Sequence, residues 1–508
     1  MDYLALLSEY REEMIEALQE LIRIPSVAGP PVEDPREGYL PFGPEVHRCY
    51  QAMLSRGARD GFLIRNVDNY GGHIEFGGHE PAKPGAPDLS GEILGILGHL
   101  DVVPEGEDWD RDPYGGELID GKIFGRGTSD DKGPVIAGYY AMKALKDIGF
   151  KPPRRVRLIL GLDEETNWDG IRYYLEREEA PDLGFTPDAD FPVIHGEKGI
   201  LIFEVAKKFS KSTLKGLELR SLKGGNAANM VADHARALLR GEDYSKVRET
   251  LEEYRKETGY RVLAKGIGKN LEITAHGKSA HGARPEQGLN AISILMEVLG
   301  RLPLVQEDLL EFIEFYNRHI GFELNGKSFG CSLSDTVSGH LVLNVGTMKV
   351  DPEAARMVIN IRYPVTYTAE EVYQTFLPLL NRHDYGILRM KHQPPIYFPE
   401  DHTIVRTLME VYREQTGDRE ARPLVIGGGT YARAADNIVA FGMTFPGEEE
   451  LAHQKNECIS VESLLKAAAI YAEAIHRLSG GDPADSFDCT ASDSQSEENR
   501  TPPDIPQL

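Results

Sequence analysis

Residues 156–165 read Val-Arg-Leu-Ile-Leu-Gly-Leu-Asp-Glu-Glu, an apolar run that ends without a spacer on three acids. The run is short and apolar enough for a central strand of a buried sheet. Residues 93–97 (ILGIL) have the same character, and the segment after Gly133 reads as a helix between the two. That order predicts an α/β layer architecture. Three consecutive acids at the carboxyl end of a buried strand stand where open α/β sheets bind ligands, which makes a solvated charge run the less attractive reading.

Outward from this core, residues 2–23 place Leu4, Leu7, Met14, Leu18, Leu21 and Ile22 at helical spacing, with Pro25 as the stop. A second helix is expected around 45–56. From about 200 to 394 the texture changes, with strand-like LEITAHG (271–277) and MVINIRYPV (357–365) beside helical NAISILMEVLG (290–300). Helices return around 403–416 and 461–478. We therefore expect a catalytic domain built from 1–198 and 395–478, an inserted domain over 199–394, and a disordered acidic tail over 479–508, which is rich in Asp, Ser and Pro.

A length of 508 residues suits at least two domains. A net charge of -25 excludes the basic surface that nucleic-acid or anionic-membrane binding needs. No run approaches the length of a membrane span, and the first residues lack the basic segment of a signal peptide. Cys49, Cys331, Cys458 and Cys489 have no paired spacing, so a reducing cytoplasm is the expected location.

Several motifs carry chemistry. In Gly98-His99-Leu100-Asp101, residues two apart on an extended chain face the same way, so Asp101 can accept the free imidazole N–H of His99 and fix its other nitrogen on a metal. The Gly-rich turn 125–133 (GRGTSDDKG) presents Asp130 and Asp131 just before a helix; it is either a plain N-cap or a ligand loop. Asp188 lies in PDADFP, and His453 follows the Gly-rich stretch 427–433 (GGGTYAR). Two histidines and three or more carboxylates spread over several loops, with no cysteine among them, suit zinc, manganese or cobalt.

These phrases, together with GLDEETNW, GKSAHGARPE and HQKNE, taken in order, resemble the dinuclear metallopeptidase family that includes carnosinase, carboxypeptidase G and the aminoacylases, and within it the PepV-type dipeptidases. The resemblance implies an α/β catalytic domain with a central mixed sheet flanked by helices and an inserted α+β lid domain. It also implies two divalent metal ions, zinc first. His99 and Asp188 would hold one ion, Glu165 and His453 the other, and Asp130 would bridge them. Asp101 would orient His99, and Glu164 would be the general base. Two divalent ions against three carboxylates leave one positive charge for a bridging hydroxide to neutralise, so the elementary chemistry agrees.

In the insert, His281 would stabilise the oxyanion, and Asn229 and Arg362 would bind substrate, the guanidinium pairing with the free carboxylate of a short peptide. Without the resemblance, an Arg on a strand reads as a solvated or salt-bridged edge. Gly428, Gly429 and Arg433 would offer groups to the same carboxylate, or the loop is a plain flexible turn. In PepV-type members a lid of this length covers the site within one chain, so the resemblance implies a monomer whose lid closes over substrate. The implied activity is hydrolysis of dipeptides or very short peptides. The alternatives are deacylation or desuccinylation of N-acyl amino acids by the same chemistry, and a non-catalytic protein on a peptidase scaffold.

Overall fold

The computed structural model describes residues 1–80, 88–210 and 215–481. The chain forms two compact units, each with its own hydrophobic core. Among the described residues, the first comprises Met1–His195, Phe398–Leu424 and residues 429–481; the second comprises Gly196–Tyr397 and Val425–Gly428. The expected insert was 199–394; the units divide after His195 and after Tyr397. The division also differs at Val425–Gly428, which was expected in the catalytic part and belongs to the second unit. The greater part of the expected disordered tail, from residue 482, and Cys489 with it, lie outside the described residues.

The first unit contains helices α1 (Tyr3–Ser8), α2 (Arg11–Ile22), α3 (Pro44–Arg59), α4 (Lys132–Asp147), α5 (Asp169–Leu175), α6 (Thr403–Thr416) and α7 (Val461–His476). Its principal strands are β1 (Leu63–Val67), β2 (Gly71–Gly77), β3 (Ile93–His99), β4 (Arg155–Gly161), β5 (Leu183–Thr186), β6 (Val193–Glu197, whose last two residues are counted in the second unit) and β7 (Ile438–Phe441). They lie in the order β6-β7-β5-β3-β4-β2-β1. Neighbours β7, β5, β3 and β4 are parallel, whereas β2 runs against both β4 and β1, and β6 against β7, so the sheet is mixed.

Burial explains the apolar runs. Every residue of β3 is buried, as are all but the first of β4, because helices cover such central parallel strands on both faces. Helix α4 packs against β3, α2 and α7, and buries Val135, Ile136, Tyr139 and Tyr140 in one core with them. The single opening helix expected over 2–23 is two helices. Asp2 caps α1 by accepting the Ala5 N–H at 3.0 Å, and a turn at Glu9–Tyr10 separates it from α2. The break lets Tyr3 and Leu7 of α1, and Met14, Leu18 and Leu21 of α2, all reach the core.

The second unit is an α+β layer. Its eight-stranded sheet is antiparallel at every pairing and includes the expected strands, as Asn270–His276 and Ala354–Tyr363. The expected helix is Ala291–Gly300, capped by Asn290, which accepts the Ile292 N–H at 2.9 Å. No helix among the described residues is long and apolar enough to cross a membrane.

One close approach sets the spacing of the strands that lead to the candidate site. A Cβ at Gly184 in β5 would overlap the carbonyl oxygen of Gly95 in β3. Overpacking a tight core typically costs about 1–3 kcal/mol. Gly184→Ala should therefore lower the melting temperature, whereas Gly91→Ala, which meets nothing within 4 Å, should leave it close to wild type.

Candidate functional site

Parallel strands deliver their carboxyl ends to one edge of the sheet, and the polar residues follow directly. His99 closes β3 with Asp101 just after it, Asp163, Glu164 and Glu165 follow β4, and Asp188 follows β5. Asp130 precedes α4, and His453 lies between β7 and α7. The Asp130–Asp131 peptide is cis.

Asp130 stands at the centre. Its Oδ1 lies 3.0 Å from His99 Nε2, and its Oδ2 lies 3.0 Å from His453 Nε2. Glu165 Oε1 is 2.9 Å from the same His453 nitrogen, and Asp188 Oδ2 is 3.8 Å from His99 Nε2. Two groups result, His99 with Asp130 and Asp188, and Asp130 with Glu165 and His453; within each, the ligand atoms lie within 4.8 Å of one another. Asp130 is common to both. The donor set is two imidazole nitrogens and three carboxylates with no thiolate, which fits a pair of divalent cations of the zinc, manganese or cobalt kind.

Within the cluster, burial and close opposite charges shift proton affinities in opposing directions. Burial opposes charge on His453, but its hydrogen bonds to Asp130 and Glu165 outweigh that and raise its pKa to about 11. His99 is raised in the same way, by Asp101 and Asp130 against the cost of burial. Burial would raise Asp130, yet the hydrogen bonds with His453 and His99 hold it below the usual carboxylate range. Burial, then the Asp130 charge, lifts Asp188 to about 7. Burial likewise raises Glu164 well above its ordinary value; His99 opposes this, and Asp188, Glu165 and Asp130 add to it.

Backbone contacts hold these side chains in place. His99 Nδ1 lies 3.0 Å from the backbone carbonyl of Asp101 and 3.4 Å from its carboxylate. The Asp101 carboxylate accepts the backbone N–H groups of Glu164 at 3.0 Å and Glu165 at 3.1 Å. One residue thus touches the β3 histidine through its carbonyl and the β4 loop through its side chain. Sequence spacing pointed only to the imidazole contact, because the loop partner is far along the chain. The Trp168 indole donates to the Glu164 carbonyl at 2.8 Å, so the Glu164 peptide is fixed on both sides. Asp163, first of the three acids, turns away from the cluster and accepts the N–H groups of Asp169 and Gly170 at the start of α5.

Three buried neighbours make contacts that sequence reasoning did not reach. Asp131 accepts the His99 backbone N–H at 2.9 Å. Tyr431 sets its ring edgewise to His99, at 6.1 Å between centroids, and to Trp168, at 5.1 Å. Glu457 accepts from the Asp130 turn. Tyr431 and Glu457 lie within GGGTYAR and HQKNE, where the sequence drew attention to Gly428, Gly429, Arg433 and His453 instead.

The remaining expected residues divide between the units. Gly429 and Arg433 belong to the first, where Arg433 ends a short turn capped by Thr430. His281, Asn229, Arg362 and Gly428 belong to the second. There the Gly282 N–H donates to the Asn229 carbonyl at 2.6 Å and His281 forms an antiparallel bridge with Met230, so the segments bearing Asn229 and His281 lie side by side. Arg362 is on an interior strand and only 4% exposed, unlike a solvated edge arginine. Its Nε donates to Asn360 Oδ1 at 3.0 Å and its Nη1 to the Gly427 carbonyl at 2.8 Å. The Gly427 carbonyl of the Gly-rich loop is thus engaged by Arg362.

The family model described as Peptidase family M20/M25/M40 matches residues 95–477. The chain belongs to this family. It is 35% identical over 471 residues to YtjP of Bacillus subtilis (strain 168), named as a candidate dipeptidase, covering 92% of this chain and 97% of that one. A candidate dipeptidase of Staphylococcus epidermidis (strain ATCC 12228 / FDA PCI 1200) is 38% identical over 477 residues, covering 92% and 98%. The fold is similar to that of human carnosine dipeptidase 1, with a TM-score of 0.54 at 16% identity over 94% of this chain and 98% of that one. The chain is thus an enzyme, a peptidase of a metallopeptidase family, and membership implies divalent metal ions.

If Asp101 fixes both the histidine and the Glu164–Glu165 loop, Asp101→Ala should speed hydrogen exchange at the Glu164 and Glu165 amides. It should also lower catalytic efficiency by on the order of 10- to 100-fold, the usual effect of losing a residue that orients a ligand.

Proposed function

We propose that this chain hydrolyses dipeptides or very short peptides with two divalent cations, zinc first among them and manganese or cobalt as substitutes. His99 and Asp188 hold one ion, Glu165 and His453 the other, and Asp130 holds both. The observation that carries this reading is Asp130 itself, whose two carboxylate oxygens each face one imidazole at 3.0 Å. Two such cations, when bound, polarise the scissile carbonyl and lower the pKa of water.

The chain's own residues then move the proton. Glu164, on a peptide held by Asp101 and Trp168, takes the proton of the attacking water on a carboxylate oxygen and passes it to the leaving amine. Its burial supports this role, because a base poised nearer neutrality can both accept and return a proton. His281 is proposed to stabilise the oxyanion, and Asn229 and Arg362 to hold the peptide, with Gly428, Gly429 and Arg433 near its carboxylate. The preference for dipeptides over N-acyl amino acids is supported by the names of the relatives at 35% and 38% identity. A cytoplasmic monomer is part of the same reading, and the free thiols of Cys49, Cys331 and Cys458 suit a reducing compartment.

A panel of dipeptides set against N-acetyl and N-succinyl amino acids, with zinc, manganese or cobalt supplied, tests the substrate class. Dipeptides should turn over fastest; a preference for the acyl substrates would make the chain a deacylase. Glu164→Ala should lower kcat by on the order of 10²- to 10⁴-fold, and His281→Ala by on the order of 10²- to 10³-fold. Undiminished turnover in either variant would remove that residue from the mechanism.

Cation binding should also depend on pH. His99 and His453 have raised pKa values in the metal-free chain, so at neutral pH each holds a proton that a cation must displace. Raising the pH helps the imidazoles shed those protons, so affinity for Mn2+ should rise from pH 6 to 8, with proton release measurable by calorimetry in buffers of different ionisation enthalpy. Affinity that is flat or falls over that range would contradict the assignment.

A further inference from the structure

Glu457 is fully buried, carries no part of the proposed cation chemistry, and receives an unusual number of donors. Its Oε1 accepts the backbone N–H groups of Gly127 at 3.1 Å, Ser129 at 2.8 Å and Asp130 at 3.3 Å, and the Ser129 hydroxyl at 2.9 Å. Its Oε2 accepts from Arg126 Nη1 at 2.6 Å. Arg126 is itself buried, with its guanidinium 5.3 Å from the centroid of the Trp109 ring and its Nη2 donating to the Glu105 carbonyl at 3.3 Å. The Glu457 carbonyl accepts the Gly125 N–H at 2.9 Å. One residue therefore closes the turn Gly125–Asp130 from its first amide to its last.

The placement matters because Glu457 comes just after His453 in the chain. The segment that follows is stitched to the same region: Cys458–Ser460 pair with Lys122–Phe124, and the Asn456 side chain exchanges two hydrogen bonds with Asp110. The turn bearing Asp130 and the loop bearing His453 are distant in sequence, yet His453 Nε2 must stay 3.0 Å from Asp130 Oδ2. Glu457 joins the two directly.

We infer that Glu457, held by Arg126, is a positioning residue that fixes the Gly127–Asp130 turn against the His453 loop, so that the Asp130 carboxylate spans both cation positions. This rests on the two-cation reading above and adds to it the residue that holds the bridging carboxylate in place. A carboxylate at this spot has two separable tasks. One is pairing with Arg126, which keeps a buried positive charge compensated and so supports folding. The other is accepting from the turn, which sets the geometry of Asp130. Glu457→Asp keeps the charge but is too short to serve both sides. Glu457→Gln keeps an acceptor oxygen for the turn but gives up the ion pair.

The test is Mn2+ binding to the full chain, by calorimetry and electron paramagnetic resonance, beside melting temperature and amide exchange over 127–130. Wild type should bind two Mn2+ ions. Glu457→Asp should lose on the order of 10- to 100-fold in affinity for one of the two, the usual scale for residues that orient ligands, with faster exchange in the turn. Glu457→Gln should melt lower than Glu457→Asp yet bind the second ion more tightly.

Wild-type affinity for both ions in Glu457→Asp would overturn the inference. So would affinities that simply follow melting temperature across the two variants, since Glu457 would then serve stability alone. If wild type itself bound no Mn2+, the two-cation reading would fall, and exchange would still judge Glu457: faster in Glu457→Asp supports its hold on the turn, unchanged overturns it.

Discussion

Crowding of negative charge is the constraint on which the first unit is built. Asp130, Glu165 and Asp188 bring carboxylates into one small volume beside two imidazoles, with Glu164 close by. Water would keep such groups apart, and burial makes their mutual repulsion worse. The raised pKa values of Glu164, Glu165 and Asp188 record that cost, with burial as the leading cause in each. A fold that assembles such a cluster needs positive charge to compensate it. The imidazoles of His99 and His453, whose affinity for protons the neighbouring carboxylates raise, supply part of it, and divalent cations would supply more.

Rigid supports keep the cluster from relaxing. Parallel strands β3, β4 and β5 fix the origins of three loops at one edge of the sheet. Asp101 ties the first loop to the second, and Asp163 starts α5. The Lys132 ammonium donates to the carbonyls of Leu21 at 2.9 Å and Ile24 at 2.8 Å, anchoring the start of α4 to the end of α2. These ties are short, buried and made largely to backbone, so the loops are held by the same contacts that complete the core.

Much of this was legible in the sequence, for identifiable reasons. The strands β3 and β4 were readable because central parallel strands are continuously apolar, and helix α6 because its buried face recurs at helical spacing. The grouping of His99, Asp130, Glu165, Asp188 and His453 came from family resemblance, since spacing alone does not bring residues 99 and 453 together. Contacts that depend on a distant partner were not legible: Asp101 with the Glu164–Glu165 amides, and Glu457 with Gly127, Ser129 and Asp130. A lone acid in HQKNE carries no local sign that it is buried. The break between α1 and α2 escaped notice because apolar periodicity continues across it, and Val425–Gly428 because a loop's allegiance is decided by packing.

The account is tested most directly by anomalous diffraction from crystals grown with Zn2+ or Mn2+. Two peaks should flank the Asp130 carboxylate, roughly 3.5–4 Å apart as in paired-metal sites, one beside His99 and Asp188 and the other beside His453 and Glu165. A single peak, or peaks remote from Asp130, would contradict it.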